Sequence, residues 1–145
     1  MVFSKSFGYA LRSILYVGMA NKQQGRIQLD EIADALGLPR YFLGKIMRRL
    51  AQQGILDSDK GHKGGFSFNK NTLGTTLAEL VEATGETEDA DTCALRLKKC
   101  NALHPCPLHH DILVIRQRWN GLLEAKTIGH LLQKEDPDFL RSIAL

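Results

Sequence analysis

With 145 residues, 43% of them hydrophobic and 24% charged, the chain has the size and composition of one ordinary globular domain with an attached arm, which excludes a disordered or fibrous protein. The net charge of +3 conceals a division at Thr75: residues 1–75 carry eleven Lys/Arg against five Asp/Glu, or +6, and residues 76–145 carry eight against eleven, or −3. No stretch approaches the roughly 20 apolar residues that span a bilayer, so neither a membrane partner nor a signal peptide is expected, and the expected compartment is the cytoplasm.

The apolar residues Phe7, Ala10, Leu11, Ile14 and Leu15 recur at helical spacing behind Ser4 or Ser6 as candidate caps, and the polar run from Asn21 to Gly25 ends this first helix. Ile27 and Leu29 follow as a brief extended piece. A two-turn helix then runs over residues 29–36 and is stopped by Gly37. Pro39 suits the first position of a third helix, where its missing N–H costs little, and that helix is expected to reach about Gln53. Leu43, Ile46, Met47 and Leu50 form its apolar face, opposite Arg40, Tyr41, Gly44, Lys45, Arg48 and Gln52. Two short helices around a glycine-containing turn, the second with a basic outer face, are the helix-turn-helix arrangement; a plain helical core with a solvated side is the simpler reading of the same pattern.

Ile55–Ser58 and Gly65–Asn69 alternate as strands and are joined by Asp59-Lys60-Gly61-His62-Lys63-Gly64, a hairpin wing whose tip presents Lys60, His62 and Lys63. Lysines on a glycine-rich backbone suit a phosphodiester chain or a minor groove. A nucleotide-cradling loop is the weaker reading, because a P-loop requires Lys-Ser/Thr and an immediate helix, whereas Gly65 opens a strand. The basic first part therefore points to double-stranded DNA, with Arg40, Tyr41 and Lys45 as candidates for base edges or adjacent phosphates. Arg48, Arg49, Lys60, His62 and Lys63 are the candidates for backbone contacts.

Thr76-Leu77-Ala78-Glu79 is a capping box that starts a short helix ending before Gly85. Glu79, Glu82, Glu86, Glu88, Asp89 and Asp91 then pass without one intervening Lys or Arg, a stretch that DNA would repel. From about Asp111, the residues Ile112, Ile115, Trp119 and Leu122 recur at steps of three and four along a helix roughly 22 Å long at ~1.5 Å per residue. One small domain does not easily cover such a stripe, so a homodimer interface is expected there.

Between the acidic stretch and the long helix lie Cys93, Cys100, Cys106 and His109, spaced C-x6-C-x5-C-x2-H. Three cysteines cannot all pair within one chain. Thiolates suit zinc or an iron-sulfur cluster, and a neutral imidazole completes either set. Both cysteine gaps exceed the two to four residues usual in structural zinc sites, which favours a cluster somewhat without deciding the matter. Plain buried cysteines with solvated His104, His109 and His110 are the bland alternative. An enzyme using Cys106 with His109 or His110 has no oxyanion-forming elbow or substrate signature beside it, so no enzyme is expected.

Over nearly its whole length the chain resembles the IscR/NsrR/CymR family of winged-helix transcription regulators. The resemblance rests on Ser6-Phe7-Gly8-Tyr9-Ala10-Leu11-Arg12, on Glu31-Ile32-Ala33, and on Tyr41-Phe42-Leu43-Gly44-Lys45-Ile46-Met47-Arg48-Arg49-Leu50 with Gly54 after it. It extends to the wing from Lys60 to Phe66, the cysteine loop, and a helix ending Thr127-Ile128-Gly129-His130-Leu131-Leu132. It implies a DNA-binding homodimer with crossing C-terminal helices, with Cys93, Cys100 and Cys106 as cluster ligands and His109 in the fourth position. A [2Fe-2S] cluster is favoured, [4Fe-4S] and zinc being the alternatives. Gly8 stands where NsrR-like members carry a carboxylate ligand, the first cysteine gap is longer than in IscR-like loops, and Gly44 replaces an IscR-like base-reading glutamate. The expected organisation is mainly α with a small β-hairpin: a winged helix-turn-helix domain over 1–75, a short helix, acidic linker and cysteine loop over 76–110, a dimerisation helix over 111–133 and a tail over 134–145.

Overall fold

The computed structural model describes residues 3–85, 93, 95, 100–133 and 142–143. The acidic linker positions Glu86, Glu88, Asp89 and Asp91, and the tail apart from residues 142–143, lie outside the described residues. In chain order the elements are α1 (Lys5–Gln24), α2 (Leu29–Leu36), α3 (Arg40–Gln52), β1 (Asp57–Asp59), β2 (Gly65–Ser67), α4 (Leu77–Ala83), α5 (His109–Ala125) and α6 (Ile128–Gln133).

Ser4 starts α1 by accepting from the Phe7 N–H at 3.2 Å. Phe7, Ala10, Ile14 and Val17, at steps of three and four, are the buried side of that helix. The turn between α2 and α3 is short: Gly37 caps α2, Leu38 is buried, and Pro39 is the cap of α3 at φ −62°, one residue earlier than expected for it. Leu43, Ile46, Met47 and Leu50 bury the inner face of α3 against α1 and α2, each contributing about 1.5–3 kcal/mol relative to exposure. This fixes the direction in which the opposite face of α3 looks.

The hairpin is shorter than its alternation suggests, because Ile55 and Leu56 go into the core before β1 begins. Asp57 pairs with Ser67, Ser58 with Phe66 and Asp59 with Gly65, antiparallel. Ile27 adds a bridge on the far side of β2, exchanging hydrogen bonds with Phe66 at 2.9 and 2.8 Å, so the expected extended piece is a third, minimal strand. Only glycine fits at Gly65: φ is +133° and a Cβ would stand 2.5 Å from the Ile27 carbonyl oxygen.

Thr76 and Glu79 form the anticipated capping box at the start of α4. The helix expected to continue over 111–133 is instead broken. Lys126 is extended, and Thr127 restarts the chain as α6 by accepting from the His130 N–H while His130 Nδ1 accepts from the Thr127 N–H, both at 3.2 Å. Around the break the Leu77 N–H bonds to the Lys126 carbonyl at 2.9 Å and the Ile128 N–H to the Thr75 carbonyl at 3.0 Å. Ile128 is fully buried, and Leu132 and Phe68 come against Gly18 of α1, where a Cβ would lie 2.6 Å from the Phe68 ring. The C-terminal arm therefore returns to the first domain after α5.

Candidate nucleic-acid face and cysteine cavity

The outer face of α3 is polar and open: Arg40, Tyr41, Lys45, Arg48 and Arg49 are all exposed. Lys45 Nζ sits 4.7 Å from the centre of the Tyr41 ring, one helical turn away, so the ring face holds the ammonium at the front of the helix. Two of the cations are not free. Arg40 is ion-paired with Asp30 of the first turn of α2, and Arg49 Nη1 donates to the Thr84 carbonyl at 3.5 Å with its guanidinium packed on Gly85. The Arg49 side chain thus also links the end of α3 to the end of α4.

At the wing, Lys60, His62 and Lys63 are exposed around the tip. Gln28 Nε2 donates to the His62 carbonyl at 2.8 Å, and Arg26 pairs with Asp59 at 2.6 Å, so the segment before α2 braces the hairpin from one side. These two residues did not stand out in the sequence, because neither belongs to a periodic run.

Cys93, Cys100, Cys106 and His109 line one cavity, together with Leu108, Ile112, Leu113 and Arg116. All three thiols are free; Cys93 is buried and the other two are half-buried. Cys100 Sγ lies 3.0 Å from His109 Nδ1, and the His109 N–H bonds to the Cys106 carbonyl at 2.9 Å as the chain turns into α5. Three thiols and an imidazole converging from a loop and a helix start are a donor set whose chemistry fits an iron-sulfur cluster and, less selectively, zinc. Among the described residues no three His, Cys, Asp or Glu groups are gathered closely enough to hold a single ion. Arg116 was not a candidate in the sequence. The signal for it was its place seven residues after His109, on the same helical face.

The expected interface stripe is divided between two environments. Ile115 and Leu122 are 41% and 43% exposed, in line with Leu108 at 45%. Ile112 and Trp119 are half-buried, and Trp119 lies 5.0 Å from Phe3, which stacks on Phe7 at 3.9 Å. Trp119 is thus partly engaged by its own chain. No helix among the described residues is long and apolar enough to cross a membrane.

A family model described as Rrf2, iron-dependent transcriptional regulator, matches residues 3–134. A protein of Aquifex aeolicus (strain VF5) named as an HTH-type transcriptional regulator is 30% identical over 138 residues, covering 94% of each chain. The HTH-type transcriptional regulator IscR of Klebsiella pneumoniae (strain 342) is 26% identical over 128 residues, 88% of this chain and 77% of that one. Among solved structures, CymR, the global cysteine regulator of B. subtilis, superposes with a TM-score of 0.72 at 18% identity, over 94% of this chain and 99% of that one. IscR of T. potens superposes with a TM-score of 0.70 at 13% identity, over 95% and 90%.

Proposed function

The chain belongs to the Rrf2 family of transcription regulators, with that family's winged-helix fold and with relatives named as regulators, not enzymes; on that premise we propose that it is a homodimeric, sequence-specific DNA-binding regulator whose DNA affinity follows the state of an iron-sulfur cluster. The observation that carries the sensing part is the convergence of Cys93, Cys100, Cys106 and His109 on one cavity. The DNA-binding part is supported by the exposed face of α3 beside a braced, basic wing.

In this reading α3 enters the major groove, with Tyr41 and Lys45 at the base edges and Arg40 beside them once its link to Asp30 is exchanged. Arg48, Lys60 and Lys63 contact phosphates, and His62 is held at the wing tip. Two copies meet through Leu108, Ile115 and Leu122, with Ile112 and Trp119 supporting that face from behind, and half-sites fall about 34 Å apart. The cysteine ligands and His109 hold the cluster, which when bound would supply oxidation-sensitive one-electron chemistry that zinc lacks. Arg49, bonded to Thr84 where the chain leaves α4 for the cysteine loop, joins that loop's root to the DNA-facing helix.

The test is anaerobic purification and reconstitution of the wild type and of Cys93→Ala, Cys100→Ala, Cys106→Ala and His109→Ala. Iron and sulfide assay, absorbance spectra and titration onto an operator selected from random DNA follow. Each cysteine variant is expected to lose most of its iron, His109→Ala to loosen it, and DNA affinity to differ between loaded and cluster-free protein. Stoichiometric zinc without sulfide, or identical affinity in both states, refutes the sensing reading and leaves DNA binding standing.

A further inference from the structure

Arg116 is the one cationic side chain that lines the cavity of Cys93, Cys100, Cys106 and His109, among the described residues. It is half-buried, two turns along α5 from His109, and the rest of the wall that α5 contributes is the apolar pair Ile112 and Leu113. Resting on the cluster reading above, we propose that Arg116 is the charge-balancing residue of this site: its guanidinium sets the cluster's reduction potential and its retention, without being a ligand.

The physical argument is electrostatic. Three thiolates and a neutral imidazole around an oxidised [2Fe-2S] core of charge +2 leave a net negative site, and uptake of one electron adds a further negative charge with no bond made or broken. A fixed cation in a partly desolvated wall favours the more negative state over the less negative one, so it raises the potential. Arginine suits the task because it is charged at every accessible pH and carries several N–H donors. The half-buried Ile112 reduces screening on the same side.

The experiment compares wild type, Arg116→Lys and Arg116→Gln after anaerobic reconstitution. It uses spectroelectrochemical titration with dithionite as reductant, iron and sulfide content, and circular dichroism as a check of folding. Arg116→Gln is expected to shift the midpoint to a more negative potential and to shed its cluster faster, while Arg116→Lys stays near wild type. Unchanged potentials in a folded, loaded Arg116→Gln variant overturn the proposal, as does equal cluster loss in both variants, which would make shape and not charge the cause. If Arg116→Gln does not fold, the lysine variant decides alone, since a large negative shift with the charge retained also overturns it. A wild type that takes up no sulfide removes the cluster reading itself, and the proposal falls with it. That outcome is distinct from a loaded cluster indifferent to residue 116.

Discussion

Arg12, in the first helix, and Ile143, 131 residues further along, are joined by two hydrogen bonds: the guanidinium donates from Nη2 at 2.7 Å and from Nε at 3.1 Å to the Ile143 carbonyl. The same Nη2 reaches the Leu36 carbonyl at 3.1 Å. Leu36 ends α2, a helix with no basic residue in its own last turn, so Arg12 supplies from another element the cation that the carbonyl end of α2 favours. Ile143 is itself buried, which places residues 142–143 against the helix-turn-helix.

Replacing Arg12 by Met keeps much of the stem's packing and removes the donors. The expected loss is about 1.5–3 kcal/mol, the range for hydrogen bonds to a charged group. Urea denaturation measures it. Truncation before Ser142 should reduce the effect of Arg12→Met, because one of the two acceptors is then already gone. Full additivity of the two changes would show that the contact contributes nothing.

On the DNA face, Lys45→Ala is expected to weaken binding to the selected operator by about 1–3 kcal/mol and to relax specificity at one base pair. Tyr41→Ala should have part of the same effect, since the ring positions the ammonium. Loss of Arg48, Lys60 or Lys63 should weaken all sequences evenly and lower the slope of log K against log salt by ~0.9 per contact. Anisotropy titrations at several salt concentrations separate the two classes. Arg49→Ala belongs to neither, and its expected signature is lower fold stability from the lost link to Thr84.

Ile115→Glu and Trp119→Glu should not behave alike. Ile115 is exposed on α5, so its replacement is expected to yield monomers that lose only the stabilisation contributed by association. Trp119 packs on Phe3, so its replacement should also destabilise the folded chain, by about 1–3 kcal/mol. Sedimentation and thermal unfolding, run together, distinguish the outcomes. A dimer that survives Ile115→Glu places the interface elsewhere.

Burial raises the Tyr16 phenol above its usual value near 10, and the Glu31 carboxylate adds to this by its charge and by accepting from the hydroxyl at 3.3 Å. The folded state thus favours the protonated phenol. This contribution is fully present below about pH 10 and is lost as pH rises through the elevated folded value. Tyr16→Phe should flatten the decline of stability as pH rises above about 10. A parallel decline in wild type and variant, measured by denaturant titration, would assign the alkaline loss to other groups.

Local order along the chain was enough to read most of the elements. The steps of three and four in α1 and α3, the capping box at Thr76, the glycine-rich wing and the cysteine spacing are all short-range patterns. They are legible because a helix face, a cap or a hairpin needs only residues a few positions apart. The order of those pieces is also what carried the family resemblance.

What the periodicity of residues 111–133 did not reveal is the break at Lys126–Thr127, because the stripe on either side keeps its spacing. The break is held by main-chain bonds to residues 75–77, partners some fifty positions away. Nor was the division of the stripe legible. Whether Trp119 faces solvent, a second copy or Phe3 depends on where the first residues of the chain return in space. That Arg49 also reaches α4 is legible only once α4 ends beside it. Arg116 does not stand out in the sequence, and its place appears only where Cys93, Cys100 and Cys106 line a cavity with it. Residue types and short spacings thus determined the elements, the basic outer face of α3 and the cysteine spacing. Tertiary packing decided which cations are free, which apolar residues remain uncovered and which charge faces the thiols, because each of those depends on contacts between segments that the linear pattern leaves independent.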